Sequence, residues 1–360
     1  MVRDDLYITV PSFFRCPISL DVMKSPVSLC TGVTYDRSSI QRWLDNGNNT
    51  CPATMDMEDG RRMDSLTGIV YFAEESEENR EFLAKSDGFV PMLVGLLNDN
   101  VDSGVEFLEK VVSALDLILN KIENREQLKR SMLKSHDNCL DSLLLVLKQG
   151  SSTNSKIGSA RILKFIAVDT ESKIMIAEKD GVVSELLKSI APEEDPALIE
   201  NGLSCLAAIS TPKRNKFKVV HLGAIKTLSR LLSGSNWSVS VTEKVLKLLE
   251  TVSSTKEGRS EICEDPSCVA AILQKVLKVS SVATEHAVTI LWCVCCLFRE
   301  QKAQEAMIMA NGMTKILLLM QSNCSPAVRQ MSAELLKILR VNSKYCLSCY
   351  DTKTTHIMPF

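Results

Sequence analysis

The sequence predicts a mainly all-α protein in which a helical solenoid follows a small, separate N-terminal module. An apolar phrase of about ten residues recurs six times between residues 88 and 321, at separations of 42 to 50 residues, and periods in this range are typical of helical solenoids. The chain of 360 residues is 45% hydrophobic but only 5% aromatic, which favours many aliphatic helices over a β-sandwich. The segment from Pro11 to Met55 lacks the phrase and has a pattern of its own.

This N-terminal segment is organised as two loops around a helix. The first loop contains Cys16-Pro17-Ile18, and the second contains Cys51-Pro52-Ala53-Thr54. Between them, Asp36 stands where an N-cap accepts the first backbone N–H groups of a helix, and Ile40, Trp43 and Leu44 follow on one predicted face. The segment has three cysteines and no histidine, too few ligands for two tetrahedral zinc sites. We therefore expect packing to hold the loops.

This ordered set of motifs resembles the U-box, the zinc-free relative of the RING finger, as found in plant U-box/armadillo ubiquitin-protein ligases. The resemblance implies that Ile18, Trp43 and Pro52 form a shallow apolar groove that binds a ubiquitin-conjugating enzyme. From the residues alone, the alternative is that Ile18 and Trp43 are core residues of a small domain; exposed apolar clusters more often mark binding sites. We assign five further residues to the structural core of the module: Cys16, Pro17, Pro26, Tyr35 and Cys51.

The recurring phrase predicts the second helix of a three-helix unit. A short polar helix precedes each phrase, and a longer amphipathic helix follows it, so that neighbouring units stack into one core. Glycine at the junction before the phrase fits a left-handed helix C-cap. These units resemble armadillo repeats. The six phrases are GFVPMLVGLL, NCLDSLLLVL, GVVSELLKSI, GAIKTLSRLL, SCVAAILQKV and GMTKILLLMQ.

The expected domain organisation is a partial U-box over 8–56, an irregular junction over 57–65, about six armadillo-like repeats over 66–341 and a C-terminal tail over 342–360. In the family, a strand and a helix close the U-box after its second loop. Here Met55 is followed instead by a polar stretch without apolar periodicity. The sequence therefore predicts that the C-terminal half of the U-box is missing, in a shortened form of the protein or through an error in its gene model.

The resemblance implies recruitment rather than covalent catalysis. The armadillo repeats are expected to bind a protein target and the U-box a conjugating enzyme loaded with ubiquitin, so no catalytic nucleophile, metal or cofactor is expected. The alternative is a non-catalytic armadillo scaffold, or a competitor of a full-length ligase. The tail resembles plant family members of defence and stress signalling, and we expect a cytoplasmic location, with the nucleus as the alternative. Neither the target nor the conjugating enzyme follows from the sequence.

The net charge and the cysteine content narrow the classes of function that the sequence allows. A net charge of −2 gives no support for nucleic-acid binding, and no apolar run reaches the length of a transmembrane helix. Thirteen scattered cysteines without a secretory signal are expected to be reduced. Cys293–Cys296 is interpreted as core, and the isolated pair Cys346 and Cys349 as a weaker indication of a zinc or redox site. The basic cluster at 213–218 indicates a solvated helix face, with a nuclear signal or an acidic-partner patch as alternatives.

Overall fold

We analysed a computed structural model that describes residues 14–29, 33–46, 52, 58–99, 104–133, 138–234 and 237–348. In this part of the chain, the first element pair is a two-stranded antiparallel sheet of β1 (Pro26–Ser28) and β2 (Thr34–Asp36), in which Val27 pairs with Tyr35. Helix α1 (Arg37–Asp45) follows β2 directly. Among the residues of this module that the structure describes, Cys16, Tyr35 and Ile40 form a small buried core.

The rest of the described chain is helical and divides into units of three helices. The helices are α2 (Glu58–Glu75), α3 (Glu77–Lys85), α4 (Phe89–Asp99), α5 (Val105–Ile118), α6 (Arg125–Met132), α7 (Cys139–Gln149), α8 (Thr153–Ile166), α9 (Thr170–Glu178), α10 (Val182–Lys188), α11 (Pro196–Ile209), α12 (Lys213–His221), α13 (Ala224–Ser233), α14 (Val239–Ser253), α15 (Lys256–Glu264), α16 (Pro266–Lys275), α17 (Ser281–Trp292), α18 (Gln301–Met309), α19 (Gly312–Gln321) and α20 (Pro326–Ser348). A 3-10 turn (Leu119–Lys121) follows α5, and a π-helical turn (Cys293–Leu297) continues α17.

The third helices of successive units pack side by side along the molecule. The series is α2, α5, α8, α11, α14, α17 and α20, and each of these helices contacts the next. Beneath them, one continuous hydrophobic core extends from Leu66 to Leu339. Each unit therefore buries its apolar surface against its neighbours, as in other solenoids. This arrangement confirms the predicted fold class, a helical solenoid preceded by a small module with two strands.

The junctions before the second helices adopt left-handed backbone, as the glycine pattern predicts. Gly88, Gly181 and Gly223 have φ of 79°, 91° and 84°. Before α19 the prediction is displaced by one residue, because Asn311 takes the left-handed conformation with φ of 58° and Gly312 is already helical. Asparagine tolerates this region better than most residues with a side chain.

Helix α2 begins earlier than the sequence predicts. It starts at Glu58, so most of the stretch 57–65 is helical and not an irregular junction. Leu66 and Ala73 are buried, and Ile69 and Val70 pack against the core. This helical spacing anchors the C-terminal turns of α2, and the helix extends from them through the polar N-terminal turns because propagation costs less than nucleation. A polar stretch without apolar periodicity is therefore not a reliable signal for a loop when a strongly anchored helix follows it.

None of the described helices is both long and apolar enough to cross a lipid bilayer. The residues that the structure describes also contain no group of three or more His, Cys, Asp or Glu side chains placed to hold a metal ion. Cys293 and Cys295 are buried in the π-helical turn, where burial raises the pKa of both thiols. Cys349 lies outside the described residues, and the side chain of Cys346 is not described.

Candidate functional site

The first loop of the N-terminal module is a tight turn held by backbone hydrogen bonds. The N–H of Cys16 donates to the carbonyl of Asp21 at 2.9 Å, and the N–H of Leu20 donates to the carbonyl of Cys16 at 2.7 Å. Leu20 has a left-handed backbone with φ of 63°. The turn projects its apolar side chains outward, since Ile18 is 37% and Leu20 70% exposed.

The carboxylate of Asp36 joins this loop region to helix α1. One oxygen accepts hydrogen bonds from the backbone N–H groups of Lys24 at 2.7 Å and Ser25 at 3.0 Å. The other accepts from the N–H and hydroxyl groups of Ser38 at the start of the helix, at 3.2 and 2.7 Å. These donors, with the Ser25 N–H as the largest contribution, hold the pKa of Asp36 well below its usual range. Asp36 is thus an N-cap whose side chain also binds the segment that leads into β1.

The Cys16 side chain occupies the centre of the module. It is 1% exposed and packs with Tyr35, which is fully buried, and Ile40. Burial raises the pKa of the Cys16 thiol, but hydrogen bonds from the backbone N–H groups of Ser19, Asp36 and Ile18 and from the Ser19 hydroxyl outweigh this effect and lower it to about 7. Hydrogen bonds from these donors thus favour the thiolate form of Cys16.

The three predicted conjugating-enzyme contacts differ in their surroundings. Ile18 is exposed and is not part of the core, whereas Trp43 on α1 is half-buried and packs against the Cys16, Tyr35 and Ile40 cluster. Pro52 is half-buried. Trp43 therefore combines a packing role with a partly open surface, and the core interpretation of Ile18 does not hold.

Two predicted core residues are on the surface. Pro17 and Pro26 are both exposed, which corrects their assignment to the core of the module. Pro17 lies in the turn after Cys16 and Pro26 begins strand β1, and proline suits such positions because it fixes φ and has no N–H to leave unsatisfied. Cys51, the fifth predicted core residue, lies outside the described residues.

The N-terminal module exposes apolar side chains that the motif alone does not identify. Leu20 and Val22 are exposed on the first loop, as is Leu44 at the end of α1, where it is 41% exposed. The helical spacing predicts that Leu44 shares the face of Ile40, but α1 ends one residue later at Asp45 and the core does not extend that far. Leu20 and Val22 could have been identified from the sequence, because the first loop contains more apolar residues than the small core can bury.

The second surface of interest is the open side of the third helices, which we call the third-helix face. Its side chains are all half-buried or exposed and recur at intervals of three residues within each helix, a spacing that keeps them on one side. We define it by Lys110, Ser113 and Asp116 on α5; Arg161 and Lys164 on α8; Asn201, Ser204 and Ala207 on α11; Lys244, Lys247 and Glu250 on α14; His286, Thr289 and Trp292 on α17; and Glu334 and Lys337 on α20.

Hydrogen bonds cross this face from one repeat to the next. Arg161 donates to the carboxylate of Asp116 and to the amide oxygen of Asn201, each at 3.1 Å. Farther along, the indole N–H of Trp292 donates to the carboxylate of Glu334 at 2.6 Å. These side chains link neighbouring repeats on the same surface that is accessible to a partner.

The basic cluster on α12 is largely occupied by contacts with neighbouring repeats. Arg214 forms an ion pair with Glu178 at 2.7 Å, and Lys216 donates to the hydroxyl of Ser254 at 2.9 Å. Lys218 donates to the carbonyl oxygen of Glu178 at 3.3 Å. These contacts favour the interpretation of the cluster as a solvated, structural helix face.

Comparison with known protein families agrees with both parts of this description. A profile for the plant U-box protein ARM repeat region matches residues 49–357, and a profile for the U-box domain matches residues 10–63. The chain belongs to the plant U-box family with ARM repeats. Two Arabidopsis thaliana proteins, U-box domain-containing proteins 28 and 29, are 49% and 46% identical to it in alignments that cover all of this chain and all of each relative. A more distant Arabidopsis relative, E3 ubiquitin-protein ligase PUB23, is 26% identical over 93% of each chain.

Solved structures support the solenoid fold of this family member. A chain of a structure that concerns a phosphorylation switch in the interaction between cadherin and β-catenin matches 82% of this chain and 54% of its own, with a TM-score of 0.65 at 15% identity. A designed armadillo repeat protein matches 69% of this chain and 99% of its own with a TM-score of 0.55 at 17% identity. At these identities the likeness shows the fold alone.

Proposed function

We propose that this protein is a ubiquitin-protein ligase that binds a ubiquitin-conjugating enzyme through its U-box and a protein target through its ARM repeats. The observation that carries the proposal is the U-box match at residues 10–63, joined to an ARM repeat region in the same chain. The name of the relative PUB23 as an E3 ubiquitin-protein ligase supports it. We further propose a role in plant defence or stress signalling, in the cytoplasm or nucleus, by analogy with the family.

The mechanism requires no covalent step on this chain. A target lysine attacks the thioester of the loaded conjugating enzyme, and the ligase contributes effective concentration and a restricted geometry. The exposed side chain of Ile18, the open part of Trp43 and Pro52 would form the enzyme-binding surface. Since the loaded enzyme must leave after each transfer, a small and transient interface is sufficient.

A polyubiquitin assay with purified protein, activating enzyme, a panel of conjugating enzymes, ubiquitin and ATP tests this proposal. Chains should form, and Ile18→Ala should abolish or strongly reduce them. Because Ile18 is exposed and outside the core, this change should leave the module folded, whereas Trp43→Ala should impair both folding and activity. Leu44→Ala is the matched control, an exposed apolar residue of the same module. Equal loss in both alanine variants would contradict the assignment of Ile18.

The second candidate function is a non-catalytic ARM scaffold that competes with a full-length ligase. It is favoured by the alignment with U-box domain-containing protein 28, which spans 411 positions against 360 residues in this chain, so that 51 positions are unfilled here. We propose that these positions include the closing half of the U-box. Between the end of α1 at Asp45 and the start of α2 at Glu58, the structure describes only Asn46 and Pro52.

Two measurements separate these candidates. Absence of chain formation with every conjugating enzyme, together with intact target binding, would establish the scaffold. Sequencing of the transcript across the codons for Met55 to Leu66 then shows how the short junction arises. An uninterrupted junction in the expressed message would identify a genuine short form of the protein, and additional codons there would identify an error in the gene model.

A further inference from the structure

Four lysines on the third-helix face, Lys110, Lys164, Lys247 and Lys337, have no side-chain partner among the residues that the structure describes, and two of them are on the helices that flank α11. Lys164 on α8 and Lys247 on α14 are both exposed, and neither side chain forms a hydrogen bond or an ion pair there. Their charged neighbours are paired. Arg161 contacts Asp116 at 3.1 Å, and Lys244 contacts Glu200 at 2.5 Å. The two free ammonium groups are therefore available to a ligand.

Helix α11 lies between the helices that carry these lysines, and it contributes small uncharged side chains. It contacts α8 on one side and α14 on the other. Its residues on the third-helix face are Asn201, Ser204 and Ala207. These side chains are shorter than the lysines on either side of them. The surface over α11 therefore leaves room between Lys164 and Lys247 for a larger side chain of a bound segment.

The charge balance of this part of the face is basic. Arg161, Lys164, Lys244 and Lys247 carry four positive charges, against the three negative charges of Asp116, Glu200 and Glu250. Glu250, the next acidic residue on α14, contacts the imidazole of His286 at 2.5 Å and lies toward the following repeat. A partner that complements this region must therefore supply negative charge at Lys164 and at Lys247.

The helix spacing sets the distance between the two charges that a partner must supply. Packed helices have axes 8–10 Å apart, so α8 and α14, separated by α11, are about 16–20 Å apart. An extended peptide advances about 3.3–3.6 Å per residue and spans this distance in about five or six residues. Two acidic side chains at that separation can reach both lysines at once.

We propose that the third-helix face from α8 to α14 binds an extended acidic segment of the target protein. The segment has two Asp or Glu residues about five or six positions apart, which contact Lys164 and Lys247. An apolar side chain between them lies over Ser204 and Ala207. The assignment of the segment to a ubiquitination target depends on the proposed function, whereas the binding itself does not.

Fluorescence anisotropy with the full-length protein and labelled synthetic peptides tests this proposal. The probe is a short peptide with two glutamates about five positions apart and a leucine midway between them. The variant Lys164→Glu/Lys247→Glu should bind it about tenfold more weakly, because two favourable ion pairs become repulsive contacts. The control Lys148→Glu/Lys226→Glu makes the same charge change at exposed lysines on second helices α7 and α13 and should bind as the wild type does.

Three results would overturn the proposal: equal loss of binding in both double variants, equally tight binding of a peptide with lysines in place of the glutamates, and no binding of the probe by the wild type. Equal binding of a peptide with adjacent glutamates would overturn the spacing. Circular dichroism of each variant establishes that it remains folded. Polyubiquitin chain formation by the same preparations requires no target peptide, so failure of the ligase proposal and failure of this one are distinguishable.

Discussion

The carboxylate of Asp36 accepts a hydrogen bond from the backbone N–H of Ser25 at 3.0 Å, and this contact fixes the end of the first loop to the start of α1. Three of the residues described in this module form its buried core, so few described contacts share this task, and small domains have little stability to lose. Replacement of Asp36 by Asn removes an acceptor from the clamp. We expect Asp36→Asn to lower the urea midpoint of the module, as reported by Trp43 fluorescence in a Trp237→Phe/Trp292→Phe background.

The hydrogen bonds of the Asp36 carboxylate also predict that the stability of the module depends on pH in the acidic range. The folded state lowers the pKa of Asp36, so its contribution to stability is fully present above the unfolded pKa of about 3.9 and is lost as the pH falls through the folded value. The wild-type module should therefore weaken below about pH 4, and Asp36→Asn should reduce this dependence. Asp21→Asn, at an exposed carboxylate of the same loop, is the control. An identical acid response in both variants would exclude the clamp as its origin.

The Cys16 thiol predicts a second pH dependence in the neutral range. Its folded-state pKa is lowered to about 7, whereas an unperturbed thiol titrates near 8.5. A lowered pKa means that the stabilisation is complete above the unfolded value and is lost as the pH falls through the folded one. The urea midpoint of the module should therefore rise between about pH 7 and 9, and Cys16→Ala should remove this rise.

Thiolate absorbance provides an independent measurement of this ionisation. Burial raises the pKa of Cys205, Cys263 and Cys268 to about 12, so these thiols should not contribute to a titration near neutral pH. The difference in ultraviolet absorbance between wild type and Cys16→Ala should follow a single step near pH 7. A step near the ordinary thiol value would show that the backbone N–H groups do not stabilise the Cys16 thiolate.

The hydrogen bond between Trp292 and Glu334 predicts the coupling of the last two repeats. The indole N–H donates to the carboxylate at 2.6 Å across α17 and α20. Both side chains are half-buried, so we expect Glu334→Ala to lower the free energy of unfolding by about 1 kcal/mol. Trp292 fluorescence in a Trp43→Phe/Trp237→Phe background should report the change. Lys337→Ala, at an exposed residue of the same helix, should have little effect, and a similar loss there would indicate a general weakening of α20.

The sequence predicts the repeats better than it predicts the contacts between them. The recurrence of one apolar phrase locates the second helices, and the glycines at 88, 181 and 223 adopt the expected left-handed backbone, because both signals are local. The contacts of Arg161 with Asp116 and Asn201 join residues 40 to 45 positions apart. Their formation depends on the stagger between neighbouring helices, which periodicity alone does not specify.

The N-terminal module shows the same limit at a smaller scale. Cysteine, proline and helix spacing are sufficient to recognise the U-box, yet Pro17 and Pro26 are exposed and Leu44 is not buried with Ile40. A motif records which residues recur in a family, whereas burial depends on where each element ends. The start of α2 at Glu58 is a further example, since tertiary packing at Leu66 and Ala73 extends a helix through polar residues.

Substitution of glycine by alanine is expected to change the stability of the protein in opposite directions at two positions. Gly258 on α15 lies against the backbone carbonyl of Val252, and a Cβ there would be closer to that group than real Cβ atoms come. We expect Gly258→Ala to destabilise the solenoid by about 1 to 3 kcal/mol, because the backbone cannot move aside as a side chain does. Gly68 lies within α2 and has no atom within 4 Å of the same position. Gly68→Ala should stabilise the protein by about 0.5 to 1 kcal/mol, since alanine loses less conformational freedom in a helix. Urea unfolding followed by circular dichroism measures both changes, and destabilisation by Gly68→Ala would show that α2 has a packing partner at this position.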